Sequence, residues 1–315
     1  MWFRNAAIFK LGEPLDAVRL EEALGKRPFQ PCGGLDWFSE GWAPAAAHLE
    51  GMVYRARERQ LVRLRREDKI LPPAAIKKAL AEKVAEIEAR EGRRVGRKER
   101  LALKEQVTDD LLPKALMRES SIPAFIAGGW LVVDASASSK AEGLVSKLRE
   151  ALPPFPATLP RTRMAPHAAM TDWLAAGEAP GGFELDEDAL LKDSSENGAV
   201  VRVSRIDLTS DEIRQHIATG KQVVKLGLIW NEKIRFQLTD TLQLKRIQFL
   251  DVLQDEASQA GDDRESLFEA TFLLMTEELG ELIHALVAAL GGLEQSQTVP
   301  FTAAAAAELV EMPGA

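Results

Sequence analysis

The sequence is poor in the residues that enzymes most often use for covalent catalysis and metal binding. Its 315 residues include one cysteine and four histidines. A single cysteine excludes a disulfide within the chain and is typical of a reducing compartment. That residue, Cys32, lies in a Pro/Gly-rich turn without an evident base, and no two histidines lie at metal-ligand spacing. The sequence therefore predicts a protein that is not an enzyme, with no metal site and no cofactor.

Long hydrophobic runs are missing as well. The first residues, MWFRNAAIFKLGEP, contain no apolar stretch as long as that of a signal peptide. The most apolar late run, residues 282–293, contains His284 and is too short to span a bilayer. We therefore expect a soluble, cytoplasmic protein without a membrane partner.

The net charge of −8, with an isoelectric point near 5.3, argues against a nucleic-acid ligand when taken alone. The charges are segregated along the chain, however. Residues 55–104 carry 17 Lys/Arg against 8 Asp/Glu, whereas residues 250–315 carry one basic residue against 13 acidic ones. Surface potential depends on local clustering, so an acidic total does not exclude a basic groove. The pattern fits either a solvated helical hairpin beside an acidic face or a surface for a polyanion.

Strand-rich segments flank a helical hairpin in the first half of the chain. Apolar side chains recur at helical spacing in two stretches after Pro72-Pro73, and most of the intervening residues are polar. Residues 122–134 predict a β-hairpin that turns at Gly128-Gly129. We predict a discontinuous centre domain with an inserted helical hairpin that projects from it as a tip. The predicted bounds are residues 1–72 and 121–182 for the centre and 73–120 for the tip.

The second half of the chain predicts an antiparallel sheet followed by a long helix. Alternating apolar residues mark the strands, and apolar residues at helical spacing mark the helix. The fold class predicted for the whole chain is α+β, with a base domain over residues 183–293 and a disordered tail over residues 294–315. Strands are predicted at residues 200–206, 221–230, 233–239 and 242–249, and the helix at residues 264–290.

Basic side chains follow the strands of this predicted sheet. Alternation places Val224 and Leu226 on one face of the second strand and Lys221 and Lys225 on the other. Like charges on one face repel unless an anion neutralises them, and a phosphate backbone would do so. A lysine-rich solvent face that discourages edge pairing explains the same pattern, and the residues alone favour neither explanation. The predicted DNA-binding residues of the sheet are Arg202, Arg205, Lys221, Lys225, Lys233, Arg235, Lys245 and Arg246.

Several segments, in order and spacing, resemble the RdgC family over nearly the whole chain up to about Gly292. They are WFRNAAIFKL at the start, FQPCG at 29–33, EDKILPPAAIKKAL at 67–80, LLPKAL at the end of the helical hairpin, DLTSDEI at 207–213, GKQVVKLGLIW at 220–230, LKRIQF and FLLMTEELGELI.

The resemblance implies a nucleoid-associated protein that binds duplex DNA without sequence specificity and restrains the RecA recombinase. It also implies a homodimeric ring with a basic interior, and it leaves single-stranded DNA open as a further ligand. On this interpretation Lys77 and Lys78 of the tip join the predicted DNA-binding residues.

The chain departs from the family pattern at two places. The family pair associated with DNA contact, Lys-Gln, falls on Arg205-Ile206, which keeps the charge and loses a polar group. Family aromatics at the tip fall on Leu116 and Glu119, which are the predicted residues of tip closure in the dimer. Leu116 can still fill an apolar pocket, whereas a carboxylate needs a partner there.

A second hypothesis comes from the acidic end of the chain. The carboxylates between residue 250 and the C-terminus could bind RecA or another basic protein directly, which would make the chain a protein-interaction module. Loss of DNA binding on charge reversal of the sheet lysines would favour the first hypothesis over this one.

Overall fold

The strands of this computed structural model form one antiparallel sheet. The structure describes residues 1–46, 48–193, 198–208, 210–259 and 263–294. The path of the sheet is β2-β4-β5-β6-β1-β12-β11-β10-β8-β9, with β3 paired to β4 and β7 paired to β1. The strands are β1 (Ala6–Leu11), β2 (Phe38–Ala43), β3 (Val53–Ala56), β4 (Arg59–Ile70), β5 (Leu116–Ala127), β6 (Trp130–Val133), β7 (Ala157–Thr158), β8 (Phe183–Asp193), β9 (Val200–Ser204), β10 (Lys221–Trp230), β11 (Ile234–Thr239) and β12 (Gln243–Phe249).

Helices cover the sheet unevenly, and the mixture of helices with an antiparallel sheet confirms the predicted α+β class. The β5–β6 hairpin turns at Gly128 and Gly129, whose φ angles of 56° and 78° favour glycine.

The predicted tail lies outside the described residues from residue 295 onward. The α-helices are α1 (Ala17–Gly25), α2 (Pro73–Glu91), α3 (Arg97–Leu111), α4 (Ser138–Ala151), α5 (Pro166–Ala176), α6 (Asp211–Ala218), α7 (Asp251–Gln259) and α8 (Arg264–Ala289).

Two hydrophobic cores lie on opposite faces of the sheet. The larger core packs α5, α6 and α8 against one face and reaches from Leu61 on β4 to Val203 on β9. The smaller core packs α1 and α4 against the other face, and Leu144 and Leu148 are fully buried in it. Burial of each such leucine stabilises the fold by roughly 1.5–3 kcal/mol.

The smaller core covers only part of its face. Its strand residues come from β1 to β7, whereas none comes from β8 to β12. One face of β12, β11, β10, β8 and β9 is therefore without a helical layer in the described part of the chain. We call it the open face.

The helices α2 and α3 stand apart from both cores. They follow β4 and precede β5, and these two long strands pair along their whole length up to Ile70 and Leu116. Leu80, Leu103 and Val107 are buried between the two helices and belong to neither of the two sheet cores. The apolar contact between α2 and α3 therefore holds these two helices to each other and not to the sheet.

Candidate nucleic-acid interface

Strand pairing sets which side chains share the open face. Residues directly opposite each other in an antiparallel ladder lie on the same face. Lys225 is opposite Leu190, and Leu190 is opposite Arg202 on the edge strand β9. Arg235 is opposite Gln248, and Gln237 is opposite Lys245. Polar and basic side chains thus follow the open face from β12 across to β9.

Five cations line a groove on this face. It consists of two adjoining cavities of about 300 and 350 Å³ that share Arg246 and Gln237. Arg202 and Lys225 line the first cavity, and Arg205 and Arg235 line the second. We call the set the basic groove: Arg202, Arg205, Lys225, Arg235 and Arg246. Within the described residues, Arg202, Arg205 and Lys225 have no carboxylate partner.

Three carboxylates of β8, Asp186, Glu187 and Asp188, line the same cavities, and two of them lie within 4 Å of groove arginines. Arg235 Nε is 3.4 Å from Asp186 Oδ2, and Arg246 Nη1 is 3.9 Å from Asp188 Oδ2. β8 is not among the predicted strands, because acidic residues are uncommon in strands. A partial signal was present, since the apolar residues 183, 185, 189 and 191 occupy alternate positions, interrupted by the acidic run 186–188.

Two groove arginines have a backbone conformation that non-glycine residues rarely adopt. The φ angle is 58° at Arg205 and 53° at Arg246. Arg246 lies where the β11–β12 ladder shifts register between Arg235 and Gln237. A bulge of this kind re-aims a side chain, here toward both cavities of the groove.

Lys221 does not lie on the same face as Lys225, which corrects the predicted arrangement. The β8–β10 ladder shifts register between Val223 and Lys225, so Val224 is an extra residue. Val223, rather than Val224, therefore points into the larger core, and Lys221 shares its side of the sheet. Lys221 Nζ donates a hydrogen bond to Thr219 Oγ1 at 3.3 Å, just after α6.

Lys233 is also turned away from the open face, contrary to the prediction. It lies in the β10–β11 turn, after Asn231 and Glu232, whose φ angles are positive. Its Nζ is 2.6 Å from Oε1 of Glu278, a buried residue of α8 on the larger core. The hydrogen bond to this carboxylate raises the pKa of Lys233. The predicted continuous row of Lys221, Lys225, Lys233 and Arg235 is therefore divided between the two faces.

The remaining predicted cations lie outside the groove. Lys245 is on the open face opposite Gln237 but lines neither cavity. Lys77 and Lys78 are exposed on α2, and Lys78 lies 4.0 Å from Glu82. α2 follows β4, which is six strand positions away from β10, or roughly 30 Å at the usual strand spacing. The structure does not bring the α2 lysines to the groove.

The predicted tip residues lie at the start of β5. Leu116 is 77% exposed, and the neighbouring Ile70 and Met117 are exposed as well. Glu119 lies on the same strand, and its carboxylate accepts a hydrogen bond from Arg65 Nη2 at 3.0 Å. Leu116 is thus free to contact another surface, whereas Glu119 already has a cationic partner in its own chain.

The described residues contain no group of three or more His, Cys, Asp or Glu side chains placed to hold a metal ion. Within the same ranges, no helix has both the length and the apolar character needed to cross a membrane.

The sequence is similar to proteins of one family over most of its length. A family model described as "Putative exonuclease, RdgC" matches residues 1–293. A recombination-associated protein RdgC from Laribacter hongkongensis is 53% identical over 297 residues, which cover 93% of this chain and 99% of that protein. The namesake from Neisseria gonorrhoeae is 46% identical over 296 residues, covering 93% and 99%. That from Pseudomonas paraeruginosa is 42% identical over 306 residues, covering 95% and 100%.

Proposed function

Because the chain belongs to the RdgC family of recombination-associated proteins, we propose that it binds DNA through the basic groove without reading base sequence. The observation that carries the proposal is the set of five cations on the open face. Lys and Arg on strands bind phosphates, and phosphate contacts carry no sequence information. No described helix lies on the open face to enter a major groove, so base readout has no recognition helix there.

The proposed assembly is a homodimeric ring around duplex DNA. The base domain, residues 183–293, turns its open face toward the channel, and the centre domain, residues 1–72 and 121–182, spans the distance to the tip. The helices α7 and α8, on the other side of the sheet, carry exposed carboxylates, and the N-terminal half of α8 lies beside Tyr54 of β3. These carboxylates are Asp251, Asp255, Glu256, Glu265, Glu269, Glu277 and Glu281.

The tip, residues 73–120, closes the ring in this proposal. Leu116 of each copy, with Ile70 and Met117, presents an apolar surface. A groove of about 610 Å³ at α2 and α3 is the proposed receptor for it on the other copy. Leu80 and Leu101 line this groove together with the side chains of Arg97, Lys98, Arg100 and Lys104. Arg65 keeps Glu119 paired, so closure does not bury an unpartnered carboxylate.

Occupation of the duplex is the proposed way in which the protein restrains RecA in the nucleoid. The groove needs no base contacts, so single-stranded DNA is a second ligand for the same cations. The proposal includes no catalytic step.

Binding to unrelated duplexes of equal length tests the proposal. Fluorescence anisotropy across a salt series should give similar affinities for all sequences. Five phosphate contacts per copy should give a slope of log K against log salt of about −4 or steeper. Absence of binding at low salt would overturn the proposal and leave the acidic helices α7 and α8 as the surface for a basic protein partner.

A topological assay tests the ring. A closed ring should remain on covalently closed circular DNA when salt is raised, and linearisation of the DNA should release it. Sedimentation equilibrium should give a dimer, and Leu116→Lys should weaken retention on circles. Equal salt-induced release from circular and linear DNA would argue against encirclement.

A second candidate is the exonuclease activity named in the description of the family model. DNA labelled separately at the 5′ and 3′ ends, incubated with the protein and Mg²⁺, distinguishes the two functions. Stepwise loss of either label by an activity that copurifies with the protein would establish an exonuclease. Loss of that activity in Lys225→Ala at DNA concentrations that saturate the variant would place the activity in the groove.

A further inference from the structure

The basic groove contains its own anions. Between its pairs with Leu226 and Leu228 of β10, the strand β8 passes from Ala189 to Leu185, which is two residues more than β10 uses. A Cβ placed on Gly227 would lie 3.2 Å from Asp186 Cβ and 3.4 Å from Asp188 Cβ. The two acidic side chains therefore lie over Gly227 on the open face, where a side chain on the neighbouring strand would otherwise stand.

The ion pairs that these carboxylates form are loose. The distances of 3.4 Å for Arg235–Asp186 and 3.9 Å for Arg246–Asp188 are within Coulombic reach but longer than charge-assisted hydrogen bonds. The side chains of Arg235 and Arg246 remain 47% and 65% exposed, whereas those of Asp186 and Asp188 are 15% and 36% exposed. Ion pairs of this kind contribute little to stability, so each guanidinium can exchange its carboxylate for an incoming anion.

We propose that Asp186 and Asp188 are internal competitors of the DNA backbone, and that they lower the affinity of the groove for phosphate. The inference rests on the proposed DNA-binding function. A phosphate that approaches Arg235 or Arg246 meets a carboxylate of the same sign beside each guanidinium. The two residues thereby set how fast DNA is released, without contacting bases.

Removal of one carboxylate charge at a time tests the inference. Asp186→Asn and Asp188→Asn keep side-chain size, and each should tighten binding to a duplex of random sequence. The expected gain is about fourfold, as for removal of a unit charge about 5 Å from a phosphate in water-like surroundings. The salt slope should stay the same because the number of phosphate contacts does not change. Stopped-flow competition should show the gain as slower dissociation.

Asp255→Asn is the matched control. It changes the net charge equally but lies exposed on α7, on the side of the sheet away from the groove. Its affinity for DNA should equal that of the wild type. An equal gain in Asp255→Asn would reduce the effect to overall charge and overturn the inference.

The outcomes separate this inference from the function on which it rests. If the wild type binds DNA and both Asn variants, with unchanged melting temperatures, bind no tighter, the competitor role is wrong and the DNA-binding function stands. If Asp188→Asn lowers the melting temperature and Asp186→Asn does not, the DNA affinity of Asp186→Asn alone decides whether the competitor role is right. If neither the wild type nor the variants bind at low salt, both the function and the inference fail.

Discussion

The ion pair between Lys233 and Glu278 ties the β10–β11 turn to the long helix α8. Glu278 is buried, and its Oε2 has no hydrogen-bond partner among the described residues, so Lys233 carries much of the compensation for that charge. The pair explains why a lysine at the end of a basic strand is not available to a phosphate. The carboxylate of Glu278, inside the helix layer, holds the Lys233 side chain away from the open face.

We expect Lys233→Met to lower the free energy of unfolding by about 2–3 kcal/mol, because it leaves Glu278 buried without a cation. The partial exposure of Lys233 keeps the loss below that of a fully buried pair. The double variant Lys233→Met/Glu278→Leu should recover most of it in urea unfolding. Because the pKa of Lys233 is raised above 10.5, its contribution is fully present below pH 10.5 and is lost as pH rises through the raised value. Equal stability of the single and double variants would contradict this role.

Arg246 combines a strained backbone with a position in the groove. Arg246→Gly should leave the free energy of unfolding within about 1 kcal/mol of the wild type, since glycine adopts a φ of 53° without penalty. Arg246→Ala should be less stable than Arg246→Gly by about 1 kcal/mol. Both variants should weaken DNA binding and reduce the salt slope by about 1 per copy. Thermal unfolding and anisotropy measure the two effects separately, and a glycine variant that still binds like the wild type would remove Arg246 from the interface.

At the scale of elements, the extra residue Val224 decides which lysines of β10 face the groove. Alternation was enough to predict a strand at residues 221–230, and the structure has a strand with those bounds. Alternation alone did not predict which face each side chain of β10 lies on, because a β-bulge at Val224 reverses the alternation. The bulge depends on pairing with β8, a strand that its acidic residues kept from being predicted. The same reason explains why Asp186 and Asp188 were missed at the site.

This bulge provides a matched pair of lysines on one strand. Lys225→Ala should weaken binding to all duplex sequences alike and lower the salt slope by about 1 per copy. Lys221→Ala, with the same change in charge four residues earlier, should bind like the wild type because its side chain lies toward α6. Anisotropy titrations at three salt concentrations measure the difference. Equal losses in the two variants would mean that binding follows net charge and not the open face.

The α2–α3 hairpin should be dispensable for folding and required for retention on DNA circles. Ile70 and Leu116 are opposite each other, so a two-residue Asn-Gly turn can replace the residues between them. The shortened chain should keep a cooperative thermal transition, because the buried residues of the hairpin belong to neither sheet core. It should still bind short duplexes and should leave circular DNA when salt is raised. Retention equal to that of the full chain would exclude a closing role for the hairpin.

At the scale of the whole molecule, the basic groove lies on one side of the sheet, with Asp186 and Asp188 among its cations, and the acidic helices α7 and α8 lie on the other side. Regional charge counts predicted a basic segment and an acidic segment. The α+β class was predicted from the helices and strands that hydrophobic periodicity indicated in each half of the chain. Counts along the chain could not show that α2, which follows β4, is at least four strand positions away from every strand of the groove. That separation depends on the strand order, in which β1 joins β6 to β12, and no local pattern in the sequence encodes this order.

The unbroken sheet also has a mechanical consequence. Backbone hydrogen bonds run without a gap from β2, beside the hairpin-bearing strands, to β9 at the far edge of the groove. The narrowest join in this path is between β1 and β12, which pair only at Ala6–Leu244 and Ala7–Gln243. If two copies enclose DNA, a load on the ring would therefore bend each copy first at this short ladder, between the hairpin and the groove.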